Sequence, residues 1–568
     1  MPAPSHFPWS TIYPTSIDWS APLPVAPLYT ILDDAVATYP NSVAVDFLGK
    51  FYTYRQIGDL VARAAKGLQS LGLKKGDRVG LFLPNSPTYM VMYFATLKAG
   101  GTVVNFNPLY ADREVEHEIL DSGATIMVTL DIPSLYDKLA KMLATTCLKK
   151  IIVEKMTDIL PVWTSLLYRL VKFRDIASIP ASDNNVPFTT LVANDGKYTP
   201  VSTAPLTDIA VLQYTGGTTG VPKGAMLTHA NLVANVTQSR MQLPKINYGG
   251  EIMLGVLPFF HVFAMTAVMN ITIVMGGRII MLPRFDLTQV IKIIHKKRPT
   301  LFPAVPTIYT AINHYKNLSK YNLGSIRYCI SGGAPLPVEV KHDFERLTGC
   351  VLVEGYGLSE TSPVLTCNPV DGENKAGSIG IPVPGTIIEI VSLDDRKTVM
   401  AQGERGEVCA RGPQVMPGYW HHPEETAGVM DDTPEGKRFH TGDVGYMDKD
   451  GYTFIVDRIK DMIAAGGFKI YPRLVEEAIY MHPAVEECIV AGVPDDYRGQ
   501  TVKAWIKLRA GTHLTKDELT AFLKDKLSPI EMPKKIEFRD PPLPKTLIGK
   551  LSRKLILDEE AAKTASAG

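Results

Sequence analysis

Neither sign of charge predominates in this 568-residue chain, where 59 Lys+Arg stand against 58 Asp+Glu. That balance gives no ground for a nucleic-acid or polyanion partner, which calls for a concentrated positive field. Cysteine is scarce: Cys147, Cys329, Cys350, Cys367, Cys409 and Cys488 are scattered, with no two near enough in sequence for a metal or redox pair. Buried thiols in a reducing compartment are expected. The proline-rich start, MPAPSHFPWSTIYPTSIDW, lacks both a basic end and an apolar core, so it does not read as a secretory signal and a cytoplasmic protein is expected. One run, residues 256–277 (VLPFFHVFAMTAVMNITIVMGG), carries no Asp, Glu, Lys or Arg. Pro258, His261 and Asn270 argue against a membrane span there, and a buried strand, turn and helix are expected instead.

The length exceeds one ordinary domain, so more than one core is expected. From Leu28 onward the pattern alternates between helical and extended stretches. Residues 54–72 place Ile57, Leu60, Val61, Ala64, Leu68 and Leu71 on one helical face; 78–83 reads as a strand, 86–98 as a helix, 102–106 as a strand, 114–120 as a helix and 124–130 as a strand. The alternation resumes with 289–297 helical, 300–304 and 326–330 extended, 338–347 helical and 351–354 extended. Stacked α/β layers follow from it. Residues 377–456 change to short alternating runs between glycines, a β-rich subdomain, and a small α+β unit follows. In that unit Val502, Ala504, Ile506 and Leu508 alternate with Lys503, Trp505, Lys507 and Arg509, which predicts a half-buried strand, and Thr515 with Glu518 predicts a capping box. Residues 156–187 interrupt the rhythm, mixing Leu, Trp, Tyr and Phe with Lys and Arg. A helical excursion packed on its own domain is the plainer reading; an amphipathic helix laid on a membrane is the other.

The stretch 213–228, QYTGGTTGVPKGAMLT, carries the chemistry. Gly216, Gly217 and Gly220 allow backbone N–H groups to approach anionic oxygens, while Thr215, Thr218, Thr219 and Lys223 add donors and positive charge, the makings of a phosphate grip. The nucleotide loop of kinases and ATPases is excluded, because Lys223 follows Pro222 and precedes Gly224 where that loop needs Gly-Lys and then Ser or Thr. Further stretches stand out: SGGAPLP (331–337), VEGYGLSET (353–361), HTGD (440–443), DRIKD (457–461), AAGGFKIY (464–471), PKTLIGKLSR (544–553) and LPFFHVF (257–263). A Gly-flanked aromatic after a strand can offer its face to a base, and a carboxylate's paired oxygens suit two ribose hydroxyls.

Together these resemble the motifs of the adenylate-forming superfamily of acyl-CoA ligases, luciferases and peptide-synthetase adenylation domains, over residues 53–557. Within it the chain looks most like the bacterial long-chain fatty acid CoA ligases. The resemblance implies a large adenylation domain of stacked α/β layers (28–459, after an extension 1–27) and a small mobile C-terminal α+β domain (460–568). It implies that Tyr356 stacks on adenine among Glu354, Gly355, Gly357 and Ser359, that Gly333, Ala334 and Pro335 wall the adenine pocket, and that Asp443 holds the ribose. Thr215 and Glu360 are assigned a magnesium ion, Arg458 a place near the phosphates, and Lys460 the pivot between the domains. Lys550 matches the lysine essential for adenylate formation.

Phe259, Phe260, His261 and Phe263, with Val236, are expected to border an apolar acyl pocket with no acidic partner for an amino acid's ammonium. Gly466, Gly467 and Phe468 are expected to line the tunnel for coenzyme A. The implied reaction makes acyl-AMP and pyrophosphate from a fatty acid and ATP, then acyl-CoA and AMP. Transfer to a carrier protein, a medium-chain or aryl acid as substrate, a spent membrane-docked acyl-binding scaffold, a dimer and peripheral contact with the membrane's inner face stay open as alternatives.

Overall fold

The computed structural model describes residues 7–215, 222–243, 245–466, 468–495, 497–545 and 551–567, the last four by backbone alone. Two compact units share the chain: Met1–Ile387 with Ala410–Phe439, and Ile388–Cys409 with His440–Gly568.

The first unit is built on a seven-stranded sheet in the order Asn185–Pro187, Lys150–Glu154, Ile126–Leu130, Arg78–Leu81, Thr102–Asn105, Ile209–Thr215 and Lys223–Thr228. Its pairings are parallel except the last, a hairpin. A parallel sheet carries helices on its faces, so its strands are apolar throughout: Ile126–Leu130 and Thr102–Asn105 are buried at every residue. The expected helices form close to their predicted bounds, each with a local reason. Tyr54–Ser70 starts at Thr53, whose side chain accepts from Gln56 N–H while the Gln56 side chain accepts from Thr53 N–H; Pro87–Lys98 starts at Ser86, which accepts from Tyr89 N–H.

A second sheet orders Ile252–Gly255, Arg278–Met281, Val43–Phe47 and Lys50–Thr53, and a third orders Tyr328–Ser331, Val351–Gly357, Val364–Cys367 and Ile381–Pro382. The strand expected over 300–304 is reduced to isolated bridges at Leu301, which pairs with both Met253 and Tyr328, and at Ala304. The uncharged run 256–277 is interior: after the strand Ile252–Gly255 and a turn, the chain forms one buried helical rod from Val262 to Val274, with a wide π-type turn at Met265–Asn270. Among the described residues no helix is long and apolar enough to cross a membrane.

The second unit holds a five-stranded sheet ordered Phe468–Ile470, Ile463–Ala465, Gly499–Leu508 and Val485–Asp495, with Lys535–Phe538 also paired to Gly499–Leu508. The capping box at Thr515 and Glu518 forms, starting the helix Lys516–Leu523. The strand predicted over 502–509 also forms, within Gly499–Leu508, but it is not half-buried. Val502, Ala504 and Ile506 pack with Val475, Ile479, Leu519 and Leu523, while Trp505 on the opposite face packs with Ile489, Leu543 and Ile556 of the helix Arg553–Ala567. Both faces are therefore covered. Lys503 is 7% exposed, with its ammonium 2.9 Å from Glu537 and 2.5 Å from Glu560.

Within the segment 156–187, Ile159, Leu160 and Ala177 pack into the core as the plainer reading expects, and one helix departs from it. That helix, Val162–Val171, has no buried residue.

Candidate active site

In open α/β sheets ligands gather beyond the carboxyl ends of strands. Three of the stretches singled out lie there: Thr215 ends the strand Ile209–Thr215, residues 332–335 follow Tyr328–Ser331, and Glu354–Gly357 close Val351–Gly357. The hairpin register sets Thr215 opposite Lys223 at the end of the two strands. Gly216, Gly217, Thr218, Thr219 and Gly220 themselves lie outside the described residues, as do Gly467 and Lys550.

Tyr328–Ser331 and Val351–Gly357 run parallel with Ser331 opposite Glu354, which brings Gly333, Ala334 and Pro335 beside Gly355, Tyr356 and Gly357. Glu354 Oε1 accepts from Leu336 N–H at 3.3 Å and ties the two stretches together. Gly357 is required by close approach, since a Cβ there would stand 1.8 Å from Pro363 O.

The next turn, Ser359–Thr361, lies against the hairpin strands and carries Glu360, which is 9% exposed. Its backbone carbonyl accepts from Met416 N–H at 2.8 Å, and its Oε1 accepts from the Tyr419 hydroxyl at 2.8 Å. Burial and the adjacent Glu360 carboxylate push the Tyr419 hydroxyl far above its ordinary pKa, so it stays a donor. Residues 416–420 are held along the hairpin by Met226 N–H to Gly418 O (3.0 Å) and Trp420 N–H to Gly224 O (2.8 Å). Tyr419 thus sits between Glu360 and Lys223, whose ammonium lies 5.8 Å from the ring centroid and 3.5 Å from Glu425. Sequence reasoning passed over Tyr419; the aromatic pair after Pro417-Gly418 was the available signal.

A buried amide relay joins the strand Ile209–Thr215 to residues 257–263. Asn105 Nδ2 donates to Gln213 Oε1 (3.0 Å), and Gln213 Nε2 donates to Phe260 O (3.0 Å). Asn85 bridges Leu257 O and Phe259 N–H at 2.8 and 2.7 Å. These amides fix the backbone of 257–263; Gln213 opens the stretch 213–228, but its part in the relay and both asparagines escaped the sequence reading. The side chains they hold diverge: Phe259 is sealed in the core against Tyr89, whereas Phe263 lies 3.1 Å from where a Cβ on Gly332 would be, beside residues 332–335. His261 Nδ1 accepts from Phe263 N–H at 3.3 Å. Val236 is buried in the helix His229–Met241, which packs against the π-type turn that follows Phe263.

Within the second unit Asp443 is 2% exposed and paired across the strands with Arg458, whose Nε lies 3.0 Å from Asp443 Oδ1. The turn before it is aimed by Glu407, which accepts from Gly442 N–H at 3.0 Å and lies 2.7 Å from His440 Nδ1. Lys460 follows in the turn Ile459–Asp461, where burial and then the Arg458 charge hold its ammonium below the usual range. Arg553 closes the same region, reaching Asp457 (3.3 Å), Asp461 (3.1 Å) and Glu476 (2.7 Å). Gly466, in the left-handed region at φ 58°, turns the hairpin between Ile463–Ala465 and Phe468–Ile470, and Phe468 is exposed.

The profile of the AMP-binding enzyme family matches residues 32–420, and that of the AMP-binding enzyme C-terminal domain matches 474–550. This chain belongs to the AMP-binding enzyme family. Its fold is the adenylate-forming one, a large N-terminal and a small C-terminal domain of mixed α/β sheets. Among curated members of the family it is 46% identical over 559 residues to the long-chain-fatty-acid–CoA ligase of Bacillus subtilis (strain 168), covering 98% of each chain. It is 35% identical over 514 residues to a feruloyl-CoA synthase from an Amycolatopsis species, covering 90% of this chain and 94% of that one. Among solved structures, ATP-bound MatB from Rhodopseudomonas palustris superposes with a TM-score of 0.82 at 29% identity, over 94% of this chain and 98% of that one.

Proposed function

We propose that this protein is an ATP-dependent long-chain fatty acid–CoA ligase. The observation that carries this reading is the 46% identity, over 98% of both chains, to the B. subtilis ligase of that name. The residues supply a mechanism. A carboxylate cannot transfer its acyl group while oxide would be the leaving group, so its oxygen attacks the α-phosphorus of ATP and the bond to pyrophosphate breaks. The Thr215–Lys223 hairpin grips the phosphates, Tyr356 faces the adenine, Gly333, Ala334 and Pro335 border it, and Asp443 accepts from the ribose hydroxyls. Thr215 and Glu360 offer a hydroxyl and a carboxylate, the oxygen donors that suit magnesium, which when bound supplies positive charge beside the triphosphate. Lys550 is assigned the negative charge that builds on the α-phosphate, with Arg458 nearby. Losing a donor of that kind costs about 100- to 1000-fold in rate.

In the second step a thiol sulfur attacks the acyl carbon and AMP leaves. Lys550 has no part in that step, and movement about Lys460 would withdraw it and bring Gly466, Gly467 and Phe468 to the pantetheine arm. The acyl chain is assigned to the apolar surroundings of Phe260, His261, Phe263 and Val236. A substrate of this class partitions into bilayers, so contact with a membrane would be peripheral.

The test is AMP and acyl-CoA formation against acids of increasing length, with ferulate alongside. Palmitate should exceed both short acids and ferulate; the reverse would move the protein to aryl acids, and pyrophosphate release that leaves acyl-AMP and gives no acyl-CoA would move it to a carrier-protein acceptor. Lys550→Ala should abolish pyrophosphate release yet leave conversion of supplied acyl-AMP largely intact. Equal loss in both half-reactions would refute the division of labour.

A further inference from the structure

The helix Val162–Val171 sits the wrong way round for a helix that stabilises its own domain. Amphipathic helices bury the apolar stripe. Here the inward positions are Ser165 and Tyr168, both half-buried, while Trp163, Leu166, Leu167 and Leu170, spaced i, i+3, i+4 and i+7, point to solvent, with Trp163 83% and Leu170 77% exposed. Val171 and Phe173 extend the same exposed surface. Ordered apolar residues at this density mark an interaction surface rather than scattered exposure.

Charge selects the partner. Between Asp158 and Asp175 the chain has Arg169, Lys172 and Arg174 and no acid. Arg284, on another segment, acts electrostatically on Lys172, and its neighbour Phe285 is exposed. Lys172 also pairs with Asp175 at 2.8 Å, which leaves a positive surplus on the rim of the apolar face. A tryptophan and a phenylalanine in an apolar stripe bordered by arginines form the pattern of a helix lying in the plane of a bilayer interface. Ten residues make a helix about 15 Å long, too short to span and long enough to lie flat.

We propose that the outward face of Val162–Val171, with Phe173, docks this protein on an anionic lipid bilayer. The docking rests on the helix itself; that it brings the enzyme to membrane-borne fatty acid rests on the ligase reading above.

The full-length protein is titrated with vesicles rich in phosphatidylglycerol and with phosphatidylcholine vesicles, both containing lipid brominated on its acyl chains. Binding should be about tenfold or more stronger to the anionic vesicles and weaken with salt. Tryptophan emission should be quenched, and Trp163→Phe should remove the quenching while keeping the binding. The double variant Leu167→Gln with Leu170→Gln should lose at least roughly tenfold in vesicle affinity, yet release AMP from dissolved octanoate at the wild-type rate. No vesicle binding by the wild type, undiminished binding by the double variant, or quenching that survives in Trp163→Phe overturns the proposal. So does a dimer, seen by light scattering, that the double variant dissolves, since a second copy then covers the face. Absence of AMP release with octanoate and palmitate alike strikes the ligase reading alone and leaves the quenching result to decide docking.

Discussion

A single phenol stands between a carboxylate and an ammonium beside the hairpin of Ile209–Thr215 and Lys223–Thr228. Tyr419 donates to Glu360 Oε1 at 2.8 Å and thereby fixes the orientation of the carboxylate proposed above to hold magnesium. Partners of that kind are worth roughly 10- to 100-fold in metal affinity where they orient a ligand. Tyr419→Phe should therefore raise the magnesium concentration for half-maximal AMP formation by about tenfold, with the folded state unchanged by calorimetry; an unaltered titration would unseat Glu360 as a ligand oriented from there. His229 gives a second prediction at this scale. Its Nδ1 accepts from Leu28 N–H at 3.0 Å, and burial pushes its pKa down to about 4. Between about 6.5 and 4 the unfolded chain takes up a proton that the folded one refuses, so this stability is intact above that window and drains as pH falls, by up to ~3 kcal/mol. His229→Asn keeps an acceptor and cannot titrate. Between about pH 7 and pH 5 the wild-type urea midpoint should fall more steeply than the variant's. Parallel curves would show that His229 is not the group responsible.

Elements show why a residue pattern can be read correctly and its burial wrongly. The strand Gly499–Leu508 does alternate polar with apolar, but alternation records which side chains like water and says nothing of what will cover them. The helix Arg553–Ala567 covers the second face, and Lys503 survives there because Glu537 and Glu560 meet its ammonium. That helix begins at Arg553, whose guanidinium compensates Asp457, Asp461 and Glu476 together. Burial raises the Glu476 carboxyl to about 7 even so. Arg553→Met would strand three carboxylates and should cost the second unit about 3–5 kcal/mol. Hydrogen exchange over Val485–Leu508 should accelerate accordingly, while the strands of the first unit keep their protection; a uniform change would deny the network a local role. The helix Val162–Val171 makes the converse point. Its amphipathic period is plain in the sequence, but period alone does not say whether the apolar side faces in or out.

At the scale of the whole molecule the assigned reaction asks one chain to serve two steps in turn. Proline fixes φ near −65°, so Lys460→Pro should hinder any rotation about that residue. One half-reaction should then persist while the other slows by about tenfold or more. Pyrophosphate release and acyl-CoA formation, measured separately, check this; equal slowing of both would argue that nothing pivots at Lys460.

By itself the sequence determined the family, the succession of α/β elements and the stretches assigned here to ATP, because glycine turns, capping residues and hydrophobic periods act over a few neighbouring residues. Only the tertiary structure decided which residues hold those stretches in place: Tyr419 on Glu360, Gln213 on Phe260, and Cys329 Sγ within 3.8 Å of Cys350 Sγ. It alone decided which faces are covered, sealing both sides of Gly499–Leu508 and leaving the apolar side of Val162–Val171 open. Those contacts join residues from 21 to 59 positions apart, and burial depends on what the rest of the chain brings alongside, which no local pattern encodes.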